Sequence, residues 1–212
     1  MMPKITRSIA EVDAVREQIL GCALEILVKN GYESLSMAKV GSRMKMTAAN
    51  LYNYYANKDE LLIAIHKKAY ALLYDKIRDA AKSAQTPLER YKNMAYAFVE
   101  FGTGNINIYD IMFNRPIRQY SDYIGTPQEE LAYNEFHSSL KPLSFAVKVI
   151  QEYRKTRPSL KSADPKFLAI QSISALHGII SLYNSRVLHQ IVDNPEITMK
   201  FIIDNVLHSI TK

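Results

Sequence analysis

Residues 47–62 have the sequence TAANLYNYYANKDELL, which contains two helix starts separated by a tight turn. Thr47 and Asn57 are residue types that favour helix N-termini, because their side-chain oxygens accept hydrogen bonds from the first free backbone N–H groups. The two capping residues predict a short helix over residues 48–55. They also predict a long helix that starts at residue 58 and continues to about residue 84.

Upstream of this stretch the sequence predicts two more helices. Apolar residues between Val15 and Leu27 recur three or four positions apart, which predicts an amphipathic helix over residues 14–30 that ends before a glycine. Ser36 is placed to cap a second short helix over residues 37–44. Short helices joined by minimal turns are typical of a helix-turn-helix unit, here over about residues 36–55.

Acidic residues are missing from this unit. No Asp or Glu occurs in the 25 residues between Glu33 and Asp59, although four basic residues do: Lys39, Arg43, Lys45 and Lys58. A surface that faces phosphate groups requires such an exclusion of negative charge. Chance sampling in a short window is the alternative explanation. The formal net charge of +6 is compatible with a polyanionic partner.

The rest of the chain is also predicted to be helical. The 15 Gly and Pro residues are fewer than the roughly 25 expected for this length, which disfavours turn-rich β folds. Further helices are predicted over residues 87–101, 108–114, 128–156, 165–190 and 195–208. We therefore predict an all-α protein of about nine helices.

Several classes of protein are disfavoured by the composition. No run of 18 apolar residues and no signal peptide is present, and the single Cys22 permits no internal disulfide, so we predict a cytoplasmic protein without a membrane segment. The five histidines show no metal-ligand spacing, and nucleotide-binding and hydrolase motifs are missing. We predict no catalytic site, no metal and no cofactor, with Cys22 a buried small apolar residue.

Two segments, GYESLS at residues 31–36 and LYNYYANKDELL at residues 51–62, resemble the amino-terminal domain of the TetR family of bacterial transcriptional repressors. The resemblance implies a DNA-binding domain over residues 12–72 and an effector-binding and dimerisation domain over residues 73–212. It also implies a ligand-responsive regulator, most simply a repressor, that binds a palindromic double-stranded operator as a homodimer. A small, mostly apolar or aromatic effector would release it.

A recognition helix needs small or hydrogen-bonding side chains to enter the major groove. Thr47 and Ala48 meet this need, and Asn50 or Asn53 is suited to pair with adenine. The resemblance implies that aromatic and basic side chains also contact the DNA backbone. For the tyrosines, packing in the core is the alternative. The full predicted DNA-binding set is Ser36, Met37, Arg43, Lys45, Thr47, Ala48, Asn50, Tyr52, Asn53, Tyr54 and Lys58. Tyr32, Leu51 and Tyr55 are expected in the core.

This sequence departs from the family pattern at two positions of the unit. Gly41 stands where alanine is usual, so the second helix is either marginal or packed unusually closely. Lys45 replaces the usual glycine of the turn. It either adopts the left-handed conformation or belongs to a turn of another type.

The C-terminal part contains an aromatic region and two strongly apolar helices. The resemblance implies that the aromatic region lines the effector cavity, and packing in the core is the alternative. The predicted effector-binding residues are Phe98, Phe101, Tyr109, Phe113, Tyr120, Tyr123 and His177. His177-Gly178 also resembles a subgroup signature of Trp-His-Gly without its tryptophan. Residues Phe167–Ile191 and Met199–Ile210 are apolar on nearly every face, which predicts a two-fold dimer interface, with Ile180 facing outward.

Two other functions compete with this interpretation. One is a helical enzyme or ligand carrier whose first domain is a remnant, and the acid-free recognition segment argues against it. The other is a purely architectural helical dimer, which the composition of residues 47–53 disfavours.

Overall fold

The structure is a computed structural model that describes residues 8–157 and 164–211. These residues form α-helices and two short 3-10 turns and contain no strand, which confirms the all-α prediction. The predicted C-terminal domain includes residues 158–163 and 212, which lie outside the described residues. The side chain of Ala48 also lies outside them.

The helices follow one another along the chain with short connections. They are α1 (Ile9–Asn30), α2 (Met37–Arg43), α3 (Ala48–Tyr52), α4 (Lys58–Lys82), α5 (Pro87–Gly104), α6 (Ile106–Phe113), α7 (Glu129–Ser139), α8 (Lys141–Lys155), α9 (Pro165–Asn184), α10 (Leu188–Ile191) and α11 (Pro195–Ser209). The 3-10 turns are Tyr32–Ser34 and Tyr120–Tyr123.

Two helix ends in the N-terminal part differ from the prediction. Helix α1 begins at Ile9 rather than residue 14 because Ser8 and Glu11 form a capping box, in which each side chain accepts from the other's backbone N–H. Helix α3 ends at Tyr52 rather than residue 55. The N–H groups of Asn53 and Tyr54 donate to carbonyls three residues back, and these tighter bonds close the helix.

Two predicted helices are each divided in the structure. The segment 128–156 breaks at Leu140 because Pro142, the second residue of α8, lacks the N–H that a continuous helix requires. The segment 165–190 breaks after Asn184, where Arg186 adopts the left-handed conformation with a φ of 63°. On both sides of each break, the apolar residues keep the spacing of a helix.

Helix α4 lies at the centre of the fold. It packs against α5, α7 and α8, while α5 and α8 pack against α9, and α11 covers α9 and α5. Helix α1 packs against α2, α4 and α6. Because α4 starts in the helix-turn-helix unit and continues past residue 73, it connects that unit directly to the C-terminal helices. None of the described helices is both long and apolar enough to cross a bilayer.

The two departures at residues 41 and 45 have clear structural outcomes. Lys45 adopts the left-handed conformation with a φ of 54°, which is the first of the two alternatives. Gly41 is buried, and a Cβ on it would lie 3.2 Å from the Met46 carbonyl oxygen. The second helix is therefore packed closely against the turn that follows it.

Candidate DNA-binding surface and effector region

The three capping residues predicted in the N-terminal unit make the expected hydrogen bonds. Ser36 Oγ accepts from the Lys39 N–H at 3.2 Å, and Thr47 Oγ1 accepts from the Asn50 N–H at 3.2 Å. Asn57 Oδ1 accepts from the N–H of the third residue of α4 at 2.8 Å. These caps fix where α2, α3 and α4 begin and hence which side chains of α3 face solvent.

Helix α3 and its flanks present a polar, accessible face. Thr47 and Asn53 are exposed, Asn50 is half-buried, and the Tyr52 side chain is 48% exposed. Leu51 on the opposite face is fully buried, as predicted. Ser36 and Lys45 are also exposed. A short helix with hydroxyl and amide groups on its open side can approach base edges.

Two residues of the predicted DNA-binding set are buried instead. Met37, the first residue of α2, and Tyr54, just beyond the end of α3, both belong to the hydrophobic core. Because α3 ends at Tyr52, the chain turns toward the core at this point and the Tyr54 ring is buried. A buried side chain cannot contact DNA, so the structure removes Met37 and Tyr54 from the set.

Arg16 of α1 holds this unit together, and the sequence analysis did not identify it. Its guanidinium donates to Glu60 Oε1 at 3.0 Å and to the Tyr54 carbonyl oxygen, and lies 4.5 Å from the centre of the Tyr55 ring. The Tyr55 hydroxyl donates to the Arg16 carbonyl oxygen at 3.2 Å, and burial raises the pKa of Tyr55 to about 12. The only sequence signal is an arginine one turn from Ile19 and Leu20, which does not specify these partners.

The predicted basic contacts have different surroundings. Arg43 forms an exposed ion pair with Glu25 of α1, which a phosphate could replace at little cost. Lys58, at the start of α4, lies with its Nζ 4.7 Å from the centre of the half-buried Tyr32 ring. Lys58 is also the first residue of α4, and a helix N-terminus is where anions bind favourably.

The segment that follows α6 is tied to the N-terminal unit by two arginines. Arg115 donates to Glu33 and to Asp110, both at 2.7 Å. Arg118 donates to Asp59 Oδ2, in the first turn of α4, at 2.8 Å. These ion pairs link α6 and the segment after it to Glu33 and to the first turn of α4.

Four of the seven predicted effector residues lie together. Phe98, Tyr109, Phe113 and His177 form a ring cluster with centroid separations of 4.7 to 6.1 Å. The Tyr109 hydroxyl and His177 Nδ1 are 2.8 Å apart. Burial raises the pKa of Tyr109 and lowers that of His177, so both groups are neutral near pH 7. Phe101 is buried in the same core, one turn further along α5.

Tyr120 and Tyr123 do not join the other predicted effector residues. Their 3-10 turn packs on α7, where Tyr120 stacks on Phe136 at 5.7 Å and Tyr123 is buried against Ile63 and Ala132. The division arises because the 3-10 turn that contains both tyrosines packs against α7. The seven predicted effector residues therefore do not line a single cavity.

An apolar slot lies between α4, α5, α8 and α9. It is lined by Ile77, Tyr91, Met94, Ala95, Phe98, Pro142, Ala146, Ser172, Ile173 and Leu176. Its free volume of about 50 Å³ is well below the 300–1,000 Å³ of most ligand pockets. A ligand of drug size would have to move helices apart. Sequence periodicity identifies these residues as core but does not distinguish a slot from solid packing.

Two outer helices expose large apolar side chains. On α9 these are Phe167, Ile170 and Leu182, and on α11 they are Ile197 and Phe201, which are 66% and 64% exposed. Ile180 is fully buried, in contrast to the prediction, because it packs against Gly102 of α5. The exposed apolar faces of α9 and α11 are therefore made by other residues of the predicted interface and by Ile197, which precedes its second segment. Cys22 is buried as predicted.

Comparison with known proteins identifies the N-terminal unit. The family model described as "Bacterial regulatory proteins, tetR family" matches residues 19–65, which include α2, α3 and the start of α4. Residues 19–65 are thus similar to the DNA-binding domain of TetR-family regulators. This helix-turn-helix domain is followed by the C-terminal helical domain described above.

Two relatives that match part of the chain are named regulators. The chain is 26% identical over 116 residues to the HTH-type transcriptional activator FasR of Mycolicibacterium smegmatis, over 55% of this chain and 50% of FasR. It is 25% identical over 73 residues to the fatty acid metabolism regulator protein of Bacillus subtilis, over 34% of this chain and 38% of that protein. The matches thus span half or less of either relative. Both relatives are regulators and not enzymes.

The whole fold also resembles solved TetR-type structures. The Bacillus subtilis transcriptional regulator FadR in complex with stearoyl-CoA superposes with a TM-score of 0.66, over 90% of this chain and 97% of that one, at 13% sequence identity. An identity this low establishes a shared fold and no more. In the described part of this chain, no group of three or more His, Cys, Asp or Glu side chains could hold a metal ion.

Proposed function

We propose that this chain is a ligand-responsive transcriptional regulator of the TetR family that binds a palindromic operator as a homodimer. In the proposed division, residues 12–72 bind DNA and residues 73–212 bind the effector and dimerise. The observation that carries the DNA-binding part is the face around α3. It combines exposed Thr47 and Asn53 with basic residues at its edges, in a segment of 25 residues that contains no carboxylate.

Within this face we assign two kinds of contact. Asn50 and Asn53 are proposed to read base edges, because an amide can pair with adenine through two hydrogen bonds. Ser36, Arg43, Lys45, Thr47, Tyr52 and Lys58 are proposed to contact the DNA backbone. Phosphate contacts of this kind position the protein without reading the sequence.

The two kinds of contact predict different mutant behaviour. Lys58→Ala should weaken binding to specific and unrelated duplexes alike. It should also reduce the slope of log K against log salt concentration by about the contribution of one phosphate contact. Asn50→Ala should cost about 1–3 kcal/mol on the preferred operator and relax the preference at one or two base pairs. Fluorescence anisotropy at several salt concentrations, with matched single-base operator variants, measures both effects. If both variants bind like the unmodified chain, another face meets the DNA.

We also propose that the effector carries a long apolar chain and acts as an inducer that relieves repression. The slot is lined almost entirely by apolar side chains, and the neutral Tyr109–His177 pair lies beside Phe98 at one of its walls. Such a pair can hydrogen-bond a carbonyl group at the end of an apolar chain. The name of one relative, the fatty acid metabolism regulator protein, and the stearoyl-CoA bound to the structural neighbour support a fatty acyl thioester as the class of effector.

An acyl-length series tests this effector class. Long-chain acyl-coenzyme A should raise the melting temperature by mass action and lower operator affinity at least tenfold, because ligand and DNA binding are coupled reciprocally. Free coenzyme A and acetyl-coenzyme A are the controls and should do neither. Thermal unfolding and anisotropy with each ligand provide the measurements. Ligands that stabilise the protein without altering operator affinity would favour the carrier function. Stabilisation by free coenzyme A as large as that by the long-chain thioester would contradict an effector recognised through its apolar chain.

A further inference from the structure

A second cavity lies at the junction of the two domains, apart from the apolar slot. It is bounded by the first turns of α4, by the segment that follows α6 and by α7. The side chains that matter here are Asp59, Ile63, His66, Arg118, Tyr123 and Glu135. We call it the junction cavity. Its volume is about 150 Å³, which is the size of a cavity that accommodates benzene.

Glu135 of α7 brings a carboxyl group into this cavity without a cation beside it. Its side chain is 17% exposed, and the nearest charged or titratable group among the described residues is His66 Nδ1, 3.9 Å from Oε1. That separation is too long for a hydrogen bond. His66 is buried in α4, and its Nε2 has no hydrogen-bond partner in the described part of the chain. Of these two residues, His66 has a fully buried nitrogen without a hydrogen-bond partner in the described part of the chain, which is uncommon in native proteins, whereas the Glu135 carboxyl group is partly exposed at the cavity.

Of the charged side chains that line the cavity, Glu135 has no cation within 4 Å among the described residues, while Lys58 and Arg115 pack against the Tyr32 ring of the wall. The Arg118 guanidinium donates to Asp59 Oδ2 at 2.8 Å and to the Asp122 carbonyl oxygen at 2.7 Å, and it stacks 4.3 Å from the centre of the Tyr123 ring. Its charge is thus balanced by Asp59. Glu135 remains as the second carboxyl group of the wall. An anion entering the cavity would meet this carboxylate, whereas a cation would neutralise it.

The pKa values of the surrounding groups agree with this distribution of charges. Burial raises the pKa of Glu135 to about 7 and lowers that of His66 to about 4, so the imidazole is neutral above pH 5. Burial and the charge of Glu135 raise the pKa of Tyr70 to about 12. Burial and the charge of Asp59 raise the pKa of Tyr123, with smaller contributions from Asp122 and Glu135. At pH 8 Glu135 is therefore mostly ionised, while the neighbouring His66, Tyr70 and Tyr123 side chains are neutral.

We propose that the junction cavity binds a small organic ammonium ion that carries an apolar group. The ammonium group would form a charge-assisted hydrogen bond to Glu135, and its other donors could reach the imidazole of His66. The apolar group would pack against Ile63 and Ile117 in the same cavity wall. This inference is independent of the proposed DNA binding and of the effector assigned to the slot.

Benzylamine is a probe of suitable charge and size, and isothermal titration calorimetry on the full chain measures its binding. At pH 8 we expect saturable binding of one molecule per chain. Benzyl alcohol, which lacks the charge, and benzoate, which reverses it, should bind at least tenfold more weakly. Because only the carboxylate form of Glu135 pairs with the cation, affinity should fall about tenfold between pH 8 and pH 6.

Two variants assign the binding to this carboxyl group. Glu135→Gln should lower the affinity for benzylamine at least tenfold and remove its dependence on pH. The unliganded variant should melt no lower than the unmodified chain at pH 8, because the change removes a buried charge. Glu130→Gln, an exposed glutamate on the same helix, is the control and should bind normally. Equal binding of benzyl alcohol, unchanged affinity in Glu135→Gln, or no binding of benzylamine at millimolar concentration would overturn the proposal.

Discussion

Replacing Phe201 with glutamate should convert the protein from a dimer into monomers and lower its operator affinity at least about 100-fold. Phe201 is 64% exposed on α11, beside the apolar face of α9. In the proposed dimer this ring is buried against the partner, where an unpaired carboxylate is strongly unfavourable. A monomer engages one half-site only, and loss of the linked second half-site commonly costs 10²–10⁴ in affinity.

Sedimentation velocity at micromolar concentration and operator binding by anisotropy measure the two effects of Phe201→Glu. Ile124→Glu is a matched control, because Ile124 is 60% exposed but lies between α6 and α7, away from α9 and α11. This control should remain a dimer. A Phe201→Glu variant that stays dimeric, or an unmodified chain that is monomeric at micromolar concentration, would refute the proposed interface.

Replacing Gly102 with alanine should lower the free energy of unfolding by about 2–3 kcal/mol. A Cβ at this position of α5 would lie 2.8 and 2.9 Å from two carbon atoms of Ile180, and 3.0 Å from the Tyr109 ring. Both neighbours are fully buried, so neither can move without displacing others. The methyl group therefore overpacks the contact between α5, α6 and α9.

Urea unfolding at a fixed protein concentration measures this loss, since the stability of a dimer depends on concentration. Gly104→Ala supplies the control on the same helix, because no atom lies within 4 Å of its added Cβ. It should leave stability unchanged or slightly raised. Equal stability of the two variants would mean that α5 and α9 are not packed as closely as described.

Much of the N-terminal unit could be predicted because its signals are local. Ser36, Thr47 and Asn57 cap their helices through hydrogen bonds that span only three residues, so sequence spacing is sufficient to find them. Tyr52 and Tyr54 show the limit of that approach. Where α3 ends decides which tyrosine is exposed, and bonds within the following turn set that end.

The C-terminal helices were harder to predict because their apolar residues have no clear period. Helix α9 is apolar on nearly every face, so its sequence does not show that Ile180 is buried while Leu182 is exposed. That distinction depends on Gly102, which lies 78 positions earlier in the chain and allows α5 and α9 to approach. The separation of Tyr120 from Tyr109 likewise depends on tertiary packing of the 3-10 turn against α7.

Selection of bound DNA from a pool of random duplexes tests the central claim most directly. A two-fold dimer with one recognition helix in each subunit places those helices in successive major grooves, so its preferred DNA must share that symmetry. We predict that repeated selection at moderate salt enriches an inverted repeat with half-sites about one helical turn apart. Enrichment should disappear in a variant that combines Asn50→Ala with Lys58→Ala. A pool in which no inverted repeat is enriched would contradict the assignment of this chain as an operator-binding regulator.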